Sequence, residues 1–344
     1  MYRLGMKGSV SPRRAIAGDL VAIVSPSWGA VGAWPHRAEK GIQYLESLGL
    51  RVKLMPNAAR SEEWVSAAAE ARADDINAAF KDDEVRIILS SIGGDHSNQV
   101  VPYLDFEVIR SHPKIFQGYS DITVLCWALL KHARLRTFYG PALTLSLAEY
   151  PRVLAYTDHW LRAAWFGDQP LRYEPSSEWT EEFLDFNTKQ DLTRPRRLTP
   201  SPGWCVIRSG TTQGWLLAGC FETVCWHVKG SDSWIDPEGA ILMLETSEIA
   251  ISPAAVDAYM TDLELMGVFE KISGLIFGRP YGYDPKDVEI LWKVLEKRTE
   301  SSMIPVLGGF DFGHTDPLVT LPLGAPMRLD THGPRVEVIE PPTR

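Results

Sequence analysis

The sequence predicts an α/β protein: a mostly parallel sheet with helices on both faces in the first half, joined to a second, mixed α/β domain. Three observations predict it. The 344 residues suit two cores of ordinary domain size better than one. Short apolar runs alternate with stretches of helical spacing through the first 150 residues. A polar, proline-bearing interruption follows, and strand signals resume beyond it.

Each element has its own warrant. Residues 20–24 form an apolar run closed by Ser25-Pro26-Ser27, and Ala38, Ile42, Leu45 and Leu48 then recur at helical spacing before Gly49, a natural stop. Val52 and Leu54 suggest the next strand, residues 66–80 a helix and residues 85–89 a third strand that runs into Ser91-Ile92-Gly93-Gly94. Ile115-Phe116, a turn at Ser120 and a helix over 123–131 complete the series. Parallel sheets of this kind bind ligands beyond the C-terminal ends of their strands, where Gly93-Gly94 and Ser120 fall. We expect an N-terminal domain over 1–150, a linker with a lid-like loop over 151–203, and a C-terminal domain over 204–344. The last carries strand signals at 205–207, 214–218, 241–244, 275–277, 327–329 and 336–339. Ser252-Pro253 and Asp284-Pro285 each pair an N-cap with a first-turn proline and open helices to about 266 and 297.

Composition narrows the partners. Thirty-five basic against 44 acidic side chains leave a formal charge of −9, which argues against nucleic acid or an anionic membrane held by bulk charge. A small molecule or peptide fits better. No run approaches the ~18 apolar residues of a membrane helix. The basic residues Arg3, Lys7, Arg13 and Arg14 precede a stretch broken by Gly18-Asp19, so a cytoplasmic location is expected rather than export. Cys126, Cys205, Cys220 and Cys225 form no Cys-x-x-Cys pair and are expected as free, buried thiols. No compact metal signature such as His-Glu-x-x-His occurs, and neither a metal nor a cofactor is expected.

Three distant segments supply a nucleophile, an acid and an imidazole: Gly118-Tyr119-Ser120-Asp121, Leu244-Glu245-Thr246-Ser247-Glu248 and Phe312-Gly313-His314. A serine hydroxyl is a poor nucleophile until a histidine takes its proton and a carboxylate fixes that histidine's tautomer. An apolar strand running through Gly118 and Ser120 into a helix presents such a serine at a sheet edge. The helix N-terminus then faces developing negative charge. The Asp121 amide is a natural oxyanion donor, with Gly94 or Gly93 as the second. Ile122 stands where Gly-x-Ser-x-Gly requires glycine, so Ser120 is equally well read as a helix N-cap. Glu245 reads locally as a surface glutamate or as a strand-end acid facing a cleft, and Glu248 competes for that role. His314 lies in a tight loop where a capping or surface histidine is also common.

Taken together with Ser25-Pro26-Ser27, residues 91–98, residues 117–123, Tyr139-Gly140-Pro141-Ala142 and Gly278-Arg279-Pro280, these segments resemble, in order from about residue 15 to 330, the serine peptidase family of LD-carboxypeptidases and microcin C self-immunity proteins. The resemblance implies a Rossmann-like N-terminal domain, a smaller C-terminal domain, an active site in the cleft between them and a homodimer. It implies Ser120 as nucleophile, Glu245 as acid, His314 as base, and an oxyanion hole from Gly93 or Gly94 with Asp121. Amide hydrolysis through an acyl-enzyme follows.

Two features resemble the immunity-type branch, which cuts the amide joining an amino acid to a modified nucleotide. Ser91 to Asn98 resembles that branch's Gly-Gly turn, with Ser97 and Asn98 as candidate substrate contacts. Residues 177–187 resemble its inserted loop, with Trp179 and, more loosely, Phe186 as platforms for a nucleobase; Glu248 is a further substrate candidate. The alternatives are removal of a terminal D-amino acid from murein tetrapeptide and a non-catalytic small-ligand-binding protein.

Overall fold

The computed structural model describes residue 6 and residues 8–344, so Arg3 and Lys7 lie outside the described residues. Buried β-rich runs supply the strands of two sheets. The first holds β1 (Leu20–Val24), β2 (Arg51–Leu54), β3 (Val85–Ser90), β4 (Ile115–Gly118) and β5 (Phe138–Tyr139). All its pairings among these five are parallel, in the order β5-β4-β3-β1-β2. All residues of β1 and β4 are buried, as strands covered by helices on both faces must be. The helix expected over 66–80 spans Ala69–Lys81, because the Ser66 hydroxyl instead bonds the Ser25 carbonyl at 2.7 Å and holds the preceding turn.

The segment expected as linker and lid contains a 12-residue helix, Ala155–Phe166, with Trp160, Leu161, Ala164 and Trp165 buried. It also contributes β6 (Leu171–Tyr173) to the second sheet and a short hairpin of β7 (Glu178–Trp179) and β8 (Thr199–Pro200). The second sheet continues with β9 (Cys205–Arg208), β10 (Thr211–Cys220), β11 (Ala240–Glu245), β12 (Gly274–Gly278) and β13 (Val306–Phe310). Its order is β6-β16-β15-β10-β11-β12-β13-β9, where β15 is Pro326–Asp330 and β16 is Arg335–Val338. The core β10 to β13 is parallel and the flanks are antiparallel. With eight strands this sheet is the larger of the two. Between β13 and β15 the chain returns to the first sheet as β14 (Leu321–Pro322), antiparallel to β5. Cys205, expected to be buried, is exposed because β9 is an edge strand; the other three thiols are buried and free.

The helix Thr123–His132 fixes the two sheets relative to each other. Its first eight residues are buried, which explains the apolar run TVLCWALL. Trp127 donates its indole N–H to the Ala218 carbonyl at 2.9 Å, and the Thr123 hydroxyl accepts from the Cys220 amide at 3.0 Å. The N-terminus of this helix is thereby pinned against the C-terminal end of β10, one strand from Glu245.

Candidate active site

One residue, Tyr119, separates β4 from Ser120, which begins a short 3₁₀ turn that continues into the helix 123–132. Its φ is +61°, a left-handed conformation costing a non-glycine residue about 1–2 kcal/mol. Such strain persists only where the surroundings hold it. Here the Ser120 carbonyl accepts the Thr123 hydroxyl at 2.6 Å, and the Ser120 amide donates to Tyr139 Oη at 3.1 Å. Gly93 closes over the serine: a Cβ there would stand 2.9 Å from Ser120 Cβ and 3.2 Å from the Asp121 amide nitrogen. Gly94 has φ +138° and would press a Cβ to 2.5 Å from Ser27 Oγ, so both positions of the turn exclude a side chain. The Asp121 carboxylate ties this turn to the Ser120 segment by accepting the His96 and Ser97 amides at 3.1 and 2.8 Å.

Glu245 is the last residue of β11, in register with Cys220 at the end of β10. Its carboxylate is wholly buried and divided between two donors. Oε2 accepts from His314 Nδ1 at 2.8 Å, and Oε1 accepts from Tyr139 Oη at 2.5 Å. Burial, then the Glu245 charge, pushes the Tyr139 pKa well above its usual value, so the phenol keeps the proton it donates. Tyr139 therefore links the acid to the backbone of the serine. Burial pulls the His314 pKa down, but the Glu245 and Glu248 carboxylates outweigh it and raise it to about 9. Nε2 lies 3.1 Å from Glu248 Oε2, and among the described residues no hydrogen bond joins it to Ser120 Oγ.

The loop bearing His314 is held by Arg279, which pairs with buried Asp311 and donates to Thr315 Oγ1 at 3.4 Å. Gly313 adopts φ +101°, and a Cβ there would fall 2.4 Å from Glu245 Oε2. We expect Gly313→Ala to cost about 1–3 kcal/mol in urea unfolding and to dislodge His314 from Glu245. A variant of unchanged stability and reactivity would show that the loop is not constrained by this contact.

Cys220 Sγ, Glu245 and His314 place potential ligand atoms within 4.8 Å of one another, the one such group among the described residues. A thiol must lose its proton to bind a metal, and burial followed by the charges of Glu245 and Glu222 drives the Cys220 pKa well up. With Nδ1 already engaged on Glu245, this donor set fits an oriented imidazole better than a metal cage.

A cavity of about 350 Å³ opens above the serine, lined by Gly93, Gly94, Ser120, Glu248 and His314. Trp28, Trp34, Phe183 and Phe186 also line it, with the Trp28 amide on the Gly93 carbonyl at 3.1 Å and Trp34 edge-on to Trp28 at 4.5 Å and to Phe186 at 5.0 Å. Arg37 lies 4.1 Å over the Phe186 ring and pairs with Asp191 at 3.0 Å. Arg196 bridges Glu149 and Asp316 at 2.6 and 2.9 Å. Of the substrate candidates, Glu248 and Phe186 therefore reach the cavity. Trp179 does not line it: its ring lies 5.1 Å from the Arg279 guanidinium on the β7–β8 hairpin. Ser97 is buried, its hydroxyl donating to the Asp121 carbonyl at 2.7 Å, and Asn98 contacts His227 at 3.3 Å; neither lines the cavity. Tyr139, Arg37, Arg196 and Trp34 carried no functional expectation. Trp34, an indole just before a helix-opening proline, had a local signal, and Tyr139 lay in one of the segments that carry the family resemblance; Arg37 and Arg196 had none.

The fold and this cleft define the class: a two-domain α/β protein of the serine-peptidase kind, with serine, glutamate and histidine converging where the sheets meet. The chain belongs to the LD-carboxypeptidase family. Residues 21–140 match the LD-carboxypeptidase N-terminal domain and residues 213–329 the C-terminal domain. YocD of Bacillus subtilis (strain 168), provisionally named a carboxypeptidase, is 32% identical over 320 residues, covering 91% of this chain and 94% of that protein. The microcin C7 self-immunity protein MccF of Escherichia coli is 30% identical over 333 residues, 94% of each. MccF in complex with aspartyl sulfamoyl adenosine superposes with a TM-score of 0.88 at 28% identity, over 97% of this chain and 100% of that one. An MccF-like protein from Streptococcus pneumoniae in complex with AMP gives 0.84 at 29% identity, over 93% and 98%.

Proposed function

We propose that this chain is a serine amidase that cleaves aminoacyl- or peptidyl-nucleotide-like compounds through Ser120, His314 and Glu245. The observation that carries the proposal is the His314 Nδ1 bond to buried Glu245, 2.8 Å long, beside a serine held at φ +61° on a helix N-terminus. His314 Nε2 takes the Ser120 proton as Oγ bonds to the amide carbonyl carbon. The amides of Asp121 and of Gly93 or Gly94 receive the oxyanion. The proton passes from His314 to the leaving nitrogen as the C–N bond breaks. Water then adds to the acyl carbon with His314 as base, and the carboxylic acid leaves as Ser120 regains its proton.

The nucleotide preference is supported by the aromatic lining of the cavity and by the sulfamoyl adenosine and AMP carried by structural relatives. In this reading Trp34 joins Phe186, the looser of the two expected platforms, and replaces Trp179; a stacked base gains about 1–3 kcal/mol. The test offers the purified protein an aminoacyl sulfamoyl adenosine and an L,D-tetrapeptide side by side. Release of the sulfamoyl nucleoside is expected, with a Trp34→Ala variant raising KM roughly 5- to 100-fold. Cleavage of the tetrapeptide alone would establish the murein reading instead. A folded protein whose Ser120 takes no fluorophosphonate label would indicate a binding protein. The homodimer belongs to the same proposal and is checked by light scattering.

A further inference from the structure

The loop that joins β7 to β8 meets the His314 loop twice, and both contacts fall on one residue. At its start Thr180 and Asp316 exchange backbone hydrogen bonds, amide to carbonyl in each direction, at 2.7 and 2.9 Å. Near its end Arg196 Nη2 donates to Asp316 Oδ2 at 2.9 Å. Asp316 stands two residues beyond His314, so both ends of the loop are seated on the segment that carries the imidazole. Glu182 and Arg194 pair across the loop at 2.7 Å. Between them Asn187 accepts the Trp34 indole N–H at 2.9 Å and Asp191 holds Arg37. The loop thus links the aromatic lining of the cavity to the histidine.

Arg196 is the only side-chain partner of the Asp316 carboxylate among the described residues: Oδ1 is buried without a hydrogen bond, and Oδ2 has Nη2 alone. The same nitrogen serves Glu149 Oε2 at 2.6 Å. Neither acid forms a second ion pair among the described residues, and their side chains are only 13% and 7% exposed. A buried carboxylate that loses its one cation is strongly destabilised and is drawn toward water. For Asp316 that movement displaces the turn bearing His314. Glu149 belongs to a different segment, between β5 and the helix Ala155–Phe166. Arg279 and Glu245 hold the histidine loop up to Thr315, and Arg196 with Thr180 holds it beyond.

We propose that Arg196 is a positioning residue for His314: by neutralising Asp316 it keeps the histidine loop seated on the β7–β8 loop, so that the imidazole and the cavity wall around Phe186 share one arrangement. Arg196 bonds neither Ser120 nor His314 and acts on them through Asp316.

This inference rests on the amidase reading, and two readouts keep the two separable. Arg196→Met is expected to slow fluorophosphonate labelling of Ser120 roughly 10- to 100-fold, compared at the alkaline plateau so that a shifted His314 ionisation does not enter. Two second-site changes then separate positioning from stability. Asp316→Asn and Glu149→Gln each remove one of the carboxylates that Arg196→Met leaves without a cation, and each is expected to raise its urea midpoint. Only Asp316→Asn is expected to recover most of the lost labelling rate. Equal recovery with both changes would mean that Arg196 acts through stability alone, and recovery with neither that it acts on the reacting groups directly; either result overturns the proposal. So does an Arg196→Met chain that labels at the unsubstituted rate. If Arg196→Met does not fold, the comparison is made in the Glu149→Gln background, where labelling that Asp316→Asn fails to raise overturns it equally. The second readout needs no reaction: the imidazole NMR signals of His314 are expected to move in Arg196→Met and to return with Asp316→Asn but not with Glu149→Gln. An unsubstituted chain that takes no label, with variants that show this pattern, loses the amidase reading and keeps the positioning role. Labelling of the unsubstituted chain with His314 signals unmoved in every variant does the reverse.

Discussion

Replacing Ser120 with alanine is expected to lower kcat on an aminoacyl sulfamoyl nucleoside by about 10⁴-fold or more, because no other group in the cavity can form the acyl-enzyme. Fluorophosphonate capture should vanish with it. Stability gives a second, independent result at the same position. Alanine keeps the left-handed strain at φ +61°, whereas glycine has no Cβ to resist it. Ser120→Gly should therefore be more stable than Ser120→Ala by about 1 kcal/mol in urea unfolding, although both are inactive. If the alanine variant proves the more stable, the strained elbow is not a property of the folded chain.

For Glu245→Gln we expect a kcat loss of about 10⁴-fold with the fold retained. Glu245 offers acceptors on both sides, to His314 and to Tyr139. A glutamine must present its NH₂ to one of them. Facing His314, that NH₂ donates to Nδ1 and leaves the proton on Nε2, the tautomer that cannot accept from Ser120. Facing Tyr139, it leaves the phenol O–H without the acceptor that Glu245 provides. The substitution also removes the carboxylate that contributes most to raising His314 against the effect of burial. In the unsubstituted chain the His314 pKa of about 9 makes Ser120 labelling rise with pH through that value; in Glu245→Gln the midpoint should fall. The sign for stability is opposite to that for reactivity. With a folded pKa of about 9 against 6.5 ordinarily, His314 contributes stability that is full below about pH 6.5 and is lost as pH rises through about 9. An unmoved labelling midpoint in the variant would separate Glu245 from the imidazole's ionisation.

The alternation in the first half was legible because a buried parallel strand must be apolar on both faces, and helices between such strands must end at residues like Gly49. The convergence of Ser120, Glu245 and His314 was legible only jointly, since each segment has an ordinary local meaning. The helix Ala155–Phe166 was not read, because its polar and proline-bearing surroundings outweighed the spacing of Trp160, Leu161, Ala164 and Trp165, which pack on one face. The cavity wall was less accessible still. Trp34 and Arg37 come from one helix start, Phe186 and Asp191 from a loop about 150 residues later, and Arg196 from beyond it. Tertiary packing alone unites them. Trp179 had the right residue type in the right segment, but β7 directs it to Arg279 rather than to the cavity.

The exchange of strands between the two sheets bears on how the molecule can be taken apart. β14, which follows the histidine loop, completes the first sheet, while β6, which precedes the β7–β8 hairpin, closes the edge of the second. Any single cut in the chain between Tyr173 and Leu321 separates both strands from their sheets, and a cut shortly before β6 still strips β14 from β5. Neither half is a module that could be borrowed, swapped or expressed alone with its edges covered. The molecule should lose its structure in one cooperative step, and Ser120, Glu245 and His314 come together only in a chain that has finished folding both sheets.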